Sequence, residues 1–185
     1  MAATKPLPRP GRPGPSVDAM LRVDHAGEYS AVRIYDGQLA VFGRNPRHAA
    51  LARMIKHMGE QEQVHLEAFN RLLNEREVRP TVMAPVWHAA GYALGAVTAL
   101  MGEKAAMACT AAVEEVIDGH YARQEERLRK EDPALADLVA KFRADEQEHR
   151  DTAIEHGAKE TPGYGLLSAV IKTGCRLAIR ISEKI

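Results

Sequence analysis

Apolar residues recur along this chain at the three- and four-residue spacing of amphipathic helices, and no alternating strand pattern of useful length interrupts them. The spacing predicts a first helix that begins after Ser16, a good N-cap residue, and stops near Gly43. A second helix is expected between Asn45-Pro46 and Arg79-Pro80. The periodic faces of these two helices carry Val17, Leu21, Glu28, Val32, Tyr35, Leu39 and Phe42, then Ile55, Met58, Glu62, His65, Phe69 and Leu72.

Residues 84–101 form an apolar and nearly uncharged segment, which predicts an additional helix. Gly91 and Gly95 have the GxxxG spacing that allows close helix contact, either within the chain or between two chains. A break is expected at Gly102-Glu103-Lys104, and a further helix should run from there to about Glu131. That helix carries Glu114, Asp118, Tyr121 and Leu128.

Another helix is expected to begin at Asp132-Pro133, which supplies an N-cap and a first-turn proline, and to end near Gly157. A last helix over about 165–182 closes the chain. The periodic face of the first of these carries Leu135, Leu138, Val139, Phe142, Glu146 and His149. The chain is therefore predicted to be all-α, with four long helices and two accessory ones.

Composition narrows the range of functions. The chain has 185 residues and a formal net charge of zero, so we expect one domain over residues 16–185 and no nucleic-acid binding. Residues 1–15 are rich in proline and contain no apolar run, which predicts a disordered tail and no secretory signal. Cys109 and Cys175 form no CxxC pair, which favours a reducing compartment.

Two segments share the pattern ExxH and are the candidate functional residues of the chain: Glu62 to His65, and Glu146 to His149. On a helix, residues three apart lie on one face about 5 Å from each other, so a carboxylate and an imidazole at this spacing can bind one metal ion. One helix earlier, Glu28 precedes Glu62 and Glu114 precedes Glu146 at nearly the same interval. Two single glutamates and two ExxH pairs are the ligand set of ferritin-like di-iron bundles.

Charge also favours a metal, since four glutamates in a low-dielectric core would be destabilising unless cations neutralised them. Carboxylate and imidazole ligands without thiolate suit iron or manganese. Some choices stay open: the alternatives to the chosen glutamates are Glu60, Glu67, Glu115 and Glu148. By helical phase, Asp24 and Asp118 also face the site, as structural residues or as hydrogen-bond partners of the ligands.

Longer motifs resemble a known family. RVDHAGEYSAVRIYDGQ from Arg22, AVEEVIDGHY from Ala112, KFRADEQEHRD from Lys141 and the C-terminal GCRLAIRISEKI are similar to the di-iron demethoxyubiquinone hydroxylases of ubiquinone biosynthesis. The resemblance covers about residues 18–185. It implies a ferritin-like four-helix bundle with an extra apolar helix and a C-terminal amphipathic helix.

The resemblance also implies the activity: hydroxylation, with O2, of the ring of a prenylated methoxy-methyl benzoquinol at two iron ions per chain. One iron is then expected to be bound by Glu28, Glu62, His65 and Glu146, and the other by Glu62, Glu114, Glu146 and His149. Other proteins of ubiquinone biosynthesis are possible partners. The sequence has neither a Gly-rich phosphate loop nor a CxxC pair, so it does not identify the source of the electrons.

The substrate of such an enzyme lies in a bilayer, so we expect peripheral attachment to the cytoplasmic side of the cell membrane. Residues 84–101 and the last helix, which combines apolar residues with lysines and arginines, are the expected contacts. The competing interpretation is that both helices only pack on the bundle. The alternative functions are a ferritin-like iron-binding or peroxide-detoxifying protein, and a non-catalytic membrane-associated scaffold without metal.

Overall fold

The computed structural model describes residues 16–185, and the predicted Pro-rich tail over residues 1–15 lies outside this part of the chain. Residues 16–185 are all-helical and contain no strand, which confirms the predicted fold class. The helices are α1 (Val17–Phe42), α2 (Ala49–Glu75), α3 (Ala84–Leu100), α4 (Glu103–Glu131), α5 (Pro133–Glu155) and α6 (Tyr164–Ser182).

Short polar residues cap the beginnings of α1 and α5, as the sequence predicted. The Ser16 hydroxyl accepts a hydrogen bond from the backbone of Ala19 at 3.2 Å, and Asp132 accepts one from the backbone of Leu135 at 3.1 Å. Asn45 differs from the expectation, because it caps a single 3-10 turn, Pro46–His48, and α2 begins only after that turn. Gly102 connects α3 to α4 with a φ of +118°, a conformation that favours glycine.

Helices α1, α2, α4 and α5 form the bundle, with α1 packed along α2 and α4 packed along α5. Two apolar clusters fill its interior. One contains large side chains, among them Leu21, Phe69, Leu128 and Phe142. The other combines Tyr35, Ile55 and Met107 with many alanines. The polar residues of the candidate site lie between these clusters and contact both, through Phe142 on one side and Tyr35 on the other.

Helix α3 packs closely against α1 because three glycines line the contact. A β-carbon on Gly95 would collide with the carbonyl oxygen of Ile34, and one on Gly91 would lie 2.8 Å from the carbonyl oxygen of Ser30. Gly37 of α1 approaches the backbone of α3 in the same way. The GxxxG spacing therefore serves a contact within the chain, the first of the two possibilities that the sequence left open.

Helix α6 packs on α4, and its end meets the beginning of α3, where the Trp87 indole donates a hydrogen bond of 3.0 Å to the Ser182 hydroxyl. The outer faces of α3 and α6 are apolar and exposed to solvent. The exposed residues are Val86, Tyr92, Val97 and Leu100 on α3, and Leu166, Val170 and Leu177 on α6. Within residues 16–185 no helix is both long and apolar enough to cross a bilayer.

Candidate metal centre

The six residues singled out by the ExxH analysis converge in the middle of the bundle. They form two overlapping groups, and in each group one potential ligand atom per residue lies within 4.8 Å of the others. The first group is Glu28, Glu62, His65 and Glu146, and the second is Glu62, Glu114, Glu146 and His149. All six side chains are buried, and the glutamates Glu62 and Glu146 belong to both groups.

Helical spacing explains this convergence. In α2 and α5 each ExxH pair places its carboxylate and imidazole one turn apart on the inner face. The His65 Nδ1 atom lies 3.2 Å from a Glu146 oxygen and 3.5 Å from a Glu28 oxygen. The His149 Nδ1 atom lies 3.0 Å from Glu62 and 3.5 Å from Glu146. Each histidine therefore turns Nδ1 towards the shared carboxylates.

The acids that the sequence left as alternatives point elsewhere. All four of these glutamates are exposed to solvent: Glu60, Glu67, Glu115 and Glu148. Two of them have surface partners, since Lys56 pairs with Glu60 at 2.9 Å and Lys172 with Glu115 at 2.6 Å. Of these eight glutamates, the four chosen by spacing and helical phase are buried and the four alternatives are exposed.

The two shared carboxylates, Glu62 and Glu146, accept no hydrogen bond. The side-chain atoms without a hydrogen bond include both oxygens of Glu62, both oxygens of Glu146, and Nδ1 of His65 and of His149. Burial and then repulsion from neighbouring glutamates raise the pKa of Glu62 and of Glu114 well above the usual value. Buried acceptors in such number destabilise a protein unless a cation binds them, so the donor set fits two divalent cations.

The histidines partly compensate this charge. Burial alone would lower the pKa of His65, but the nearby carboxylates of Glu146 and Glu28 outweigh it and raise the pKa to about 10. Burial likewise opposes ionisation of Glu146, yet His149 and His65 lower the pKa of this glutamate to about 2. Glutamate and histidine without thiolate suit iron or manganese, so iron remains the metal that we expect.

Four of the six residues are held by a neighbour from another helix. Tyr121 donates a hydrogen bond to Glu28, and Tyr35 donates one to Glu114 at 3.0 Å. The Nε2 atom of His65 lies 3.1 Å from an Asp145 oxygen, and the Nε2 atom of His149 lies 3.0 Å from the Gln61 side-chain oxygen. The sequence interpretation missed the partners Asp145 and Gln61, although a signal existed: each directly precedes the glutamate of an ExxH pair.

The expectation that Asp118 faces the site is wrong. Its carboxylate accepts hydrogen bonds from Arg143 at 2.7 Å and from Gln147 at 2.9 Å, and it pairs with Arg150 at 3.3 Å. Asp118 lies on α4 and its three partners lie on α5, so the arginines hold the carboxylate at the surface where the two helices meet. Asp118 therefore ties α4 to α5.

The expectation for Asp24 fits better, because this acid is buried one turn before Glu28. Asp24 is held by His120 at 3.2 Å and accepts a hydrogen bond from Gln124 at 2.8 Å. It therefore belongs to a polar layer next to the six residues rather than to the six themselves.

Two cavities lie between α4 and α6, and none of the six residues of the centre lines either of them. An apolar cavity of about 80 Å³ separates α1, α4 and α6, with Trp87 of α3 at its edge. Its lining includes Gly27 and Ala31, which flank Glu28 along α1. A larger polar cavity of about 360 Å³ lies between α4 and α6 and is lined in part by Arg123, Arg176, Arg180 and His120.

Comparison with known proteins gives consistent matches. The model of the family described as "Ubiquinone biosynthesis protein COQ7" matches residues 15–182. A 3-demethoxyubiquinol 3-hydroxylase of Rhodospirillum rubrum is 51% identical over 178 residues, 95% of this chain and 82% of the relative. A human mitochondrial NADPH-dependent 3-demethoxyubiquinone 3-hydroxylase is 48% identical over 92% of this chain and 78% of the relative. A Saccharomyces cerevisiae mitochondrial 5-demethoxyubiquinone hydroxylase is 41% identical over 91% and 78%.

Proposed function

Because this chain belongs to the family of the ubiquinone biosynthesis protein COQ7 and is a hydroxylase of that pathway, we propose that it oxygenates the ring of a prenylated methoxy-methyl benzoquinol at two bound iron ions. The observation that carries this proposal is the pair of overlapping, fully buried ligand groups that share two glutamates. Iron storage or peroxide removal, the alternative function, is not favoured, since the relatives are named hydroxylases.

In this proposal, Glu28 and His65 hold one iron, Glu114 and His149 hold the other, and Glu62 and Glu146 contact both. The iron pair, when bound, would supply open coordination positions for O2 and would transfer to it the electrons that a reductant delivers. The protein's own residues orient and shield this centre. Tyr35 and Tyr121 fix the carboxylates of the single glutamates, while the apolar clusters on either side exclude water from the reacting groups.

We further propose that the substrate ring enters through the apolar cavity beside Glu28. Its lining is almost free of polar groups, which suits a benzoquinol with a prenyl tail. Trp87 and Ile179 form part of its wall, so the cavity lies under the same two helices, α3 and α6, whose outer faces are apolar. A substrate leaving the bilayer would then reach the centre without crossing water.

We also propose peripheral attachment to the membrane through α3 and α6, on the cytoplasmic side expected from the sequence. Val170, Leu177 and Leu100 are more than half exposed, an arrangement that is unfavourable in water but suits a lipid interface. Arg176 and Arg180 lie on α6 close to this face, where anionic headgroups would attract them.

For the electrons we propose a nicotinamide nucleotide, because the human relative is named NADPH-dependent. The polar cavity between α4 and α6 is lined by three guanidinium groups and two carboxylates, and the guanidinium groups suit a phosphate-bearing ligand; the residues are Arg123, Arg176, Arg180, Glu115 and Glu183. His120 lies in its wall and also pairs with Asp24, one turn before Glu28. The cavity therefore adjoins the layer of polar residues that surrounds the proposed iron ligands.

The decisive experiment combines a metal count with a turnover assay. Protein purified without O2 and loaded with Fe²⁺ should contain two irons per chain and should convert a short-chain demethoxyubiquinol only when O2 is supplied. Uptake of many irons per chain without ring hydroxylation would favour the storage alternative. Iron below one per chain, with hydroxylation retained, would contradict the two-iron proposal.

A further inference from the structure

The bundle contains an internal near-symmetry that relates α1 and α2 to α4 and α5. Glu28 corresponds to Glu114, and each is followed seven residues later by a tyrosine, Tyr35 or Tyr121. The hydrogen bonds cross between the halves, because Tyr35 donates to Glu114 and Tyr121 donates to Glu28. Each half of the centre therefore depends on the other half for the partner of its single glutamate.

The same exchange recurs one layer further out. Gln38 of α1 donates a hydrogen bond of 3.2 Å to Thr110, which lies one turn before Glu114. Gln124 of α4 donates one of 2.8 Å to Asp24, which lies one turn before Glu28. Geometry is thus conserved between the halves, while chemistry differs, since a carboxylate stands where the other half has a hydroxyl.

The difference matters most at the residues that contact the Nε2 atoms of the two histidines. Asp145 and Gln61 occupy equivalent positions, each directly before the glutamate of an ExxH pair, and each contacts the histidine of the opposite pair. His65 therefore has a carboxylate behind it, and His149 has a neutral amide oxygen at nearly the same distance. Asp24 adds less asymmetry, because its partners are His120 and Gln124 rather than one of the six residues.

We propose that the two halves of the centre bind divalent cations unequally, the Glu28–His65 half more tightly, because Asp145 polarises His65 while Gln61 only orients His149. This inference rests on the proposed two-metal centre and states which of its two sites binds a cation more tightly. A carboxylate that accepts the Nε2 proton makes Nδ1 a stronger donor and brings negative charge towards the cation. The Asp145 side chain is 29% exposed, so solvent screens part of this effect.

Co²⁺ titration of the apoprotein, followed by calorimetry and visible absorption, can resolve the two binding steps without turnover. We expect the first step to be at least tenfold tighter than the second. His65→Ala should remove the tighter step, and His149→Ala should remove the weaker one. Equal constants, or a tighter step that survives in His65→Ala, would overturn the inference.

Variants of the two outer residues test the cause. Asp145→Asn should weaken the tighter step roughly 10–100-fold, the range for loss of an outer partner. Glu148→Gln is the matched control, because it removes one exposed negative charge from the same helix and should change neither step. An Asp145→Asn variant with the same two constants as this control would show that the carboxylate does not set the order.

The reverse change gives an outcome that a purely structural role could not produce. Gln61→Glu should tighten the weaker step, and the double variant Asp145→Asn/Gln61→Glu should reverse the order, so that His149→Ala then removes the tighter step. If Asp145→Asn melts before the titration, Gln61→Glu alone decides, and an unchanged weaker step overturns the inference. Failure of the wild type to bind any Co²⁺ would instead overturn the proposed metal centre.

Discussion

The interior of the four-helix bundle and the outer face of α3 and α6 depart from ordinary globular structure in opposite ways. The interior buries four glutamates and two histidines, whereas the outer face exposes residues such as Leu100 and Leu166, each about three-quarters accessible. Both arrangements are unfavourable for a protein alone in water. In the proposed function, cations stabilise the interior and an apolar phase covers the outer face.

The largest expected effect comes from the shared glutamates. Glu146→Ala or Glu62→Ala should remove most of the iron and lower hydroxylation by more than the roughly 100-fold upper range for loss of an outer partner. Glu148→Ala and Glu67→Ala remove exposed acids from the same helices and serve as controls. Metal analysis and product formation measure both effects, and iron retained at two per chain in Glu62→Ala would contradict its assignment to both ions.

A second prediction tests how α3 packs against α1. Gly95→Leu would place a side chain into the backbone of α1 and should lower the free energy of unfolding by about 3 kcal/mol or more. Gly174→Ala in α6 is the control, because nothing lies near its β-carbon position, and it should stabilise the protein by about 0.5–1 kcal/mol. Chemical denaturation measures both changes. Equal stability of Gly95→Leu and the wild type would show that α3 packs otherwise.

The sequence predicted the inner region better than the outer one for a physical reason. Helical period alone brings Glu62 and His65 to one face, and the duplicated pattern selects the remaining ligands. Asp118 shows the limit, since its position along α4 is compatible with the site, yet Arg143 and Arg150 hold it at the surface. Whether Asp118 faces the site or the surface arginines depends on the packing of α4 against α5, and residue spacing along α4 does not reveal that packing.

Contacts across helices were equally inaccessible. Asp145 and Gln61 each directly precede an ExxH glutamate, but the histidines that they contact lie 80 and 88 residues away, so periodicity within one helix does not reveal these contacts. The packing of α3 on α1 was open for the same reason, because GxxxG spacing indicates a close contact without naming the partner helix. The proposed ligands thus follow from local pattern, whereas the residues around them follow from tertiary structure.

A third prediction concerns the stability of the metal-free protein. Folding raises the pKa of His65 from 6.5 to about 10, so this group stabilises the fold fully below pH 6.5 and loses that contribution as pH rises towards 10. The raised pKa values of Glu62 and Glu114 act in the same direction, since ionising these buried acids becomes costly. The melting temperature of the apoprotein should therefore fall between pH 6.5 and 10, by about 2–4 °C for each kcal/mol lost.

Metal binding should remove this dependence, because cations bind the deprotonated side chains and replace the protons that the empty centre needs. Differential scanning calorimetry of apoprotein and Fe²⁺- or Co²⁺-loaded protein across this pH range compares the two forms. A metal-free protein whose melting temperature rises steadily from pH 6.5 to 10 would show that the buried carboxylates are not the source of the instability.

The smallest expected effect separates the outer face from ordinary surface. Val170 on α6 and Val64 on α2 are exposed to nearly the same extent, 62% and 59%, but only Val170 lies on the face formed by α3 and α6. If that face contacts lipid, Val170→Glu should weaken binding to anionic vesicles about tenfold, because it replaces an inserted apolar group with a charge. Val64→Glu adds the same charge elsewhere and should leave binding unchanged. Vesicle co-sedimentation compares the pair, and equal losses in both variants would mean that overall charge, rather than an apolar contact through α6, governs membrane binding.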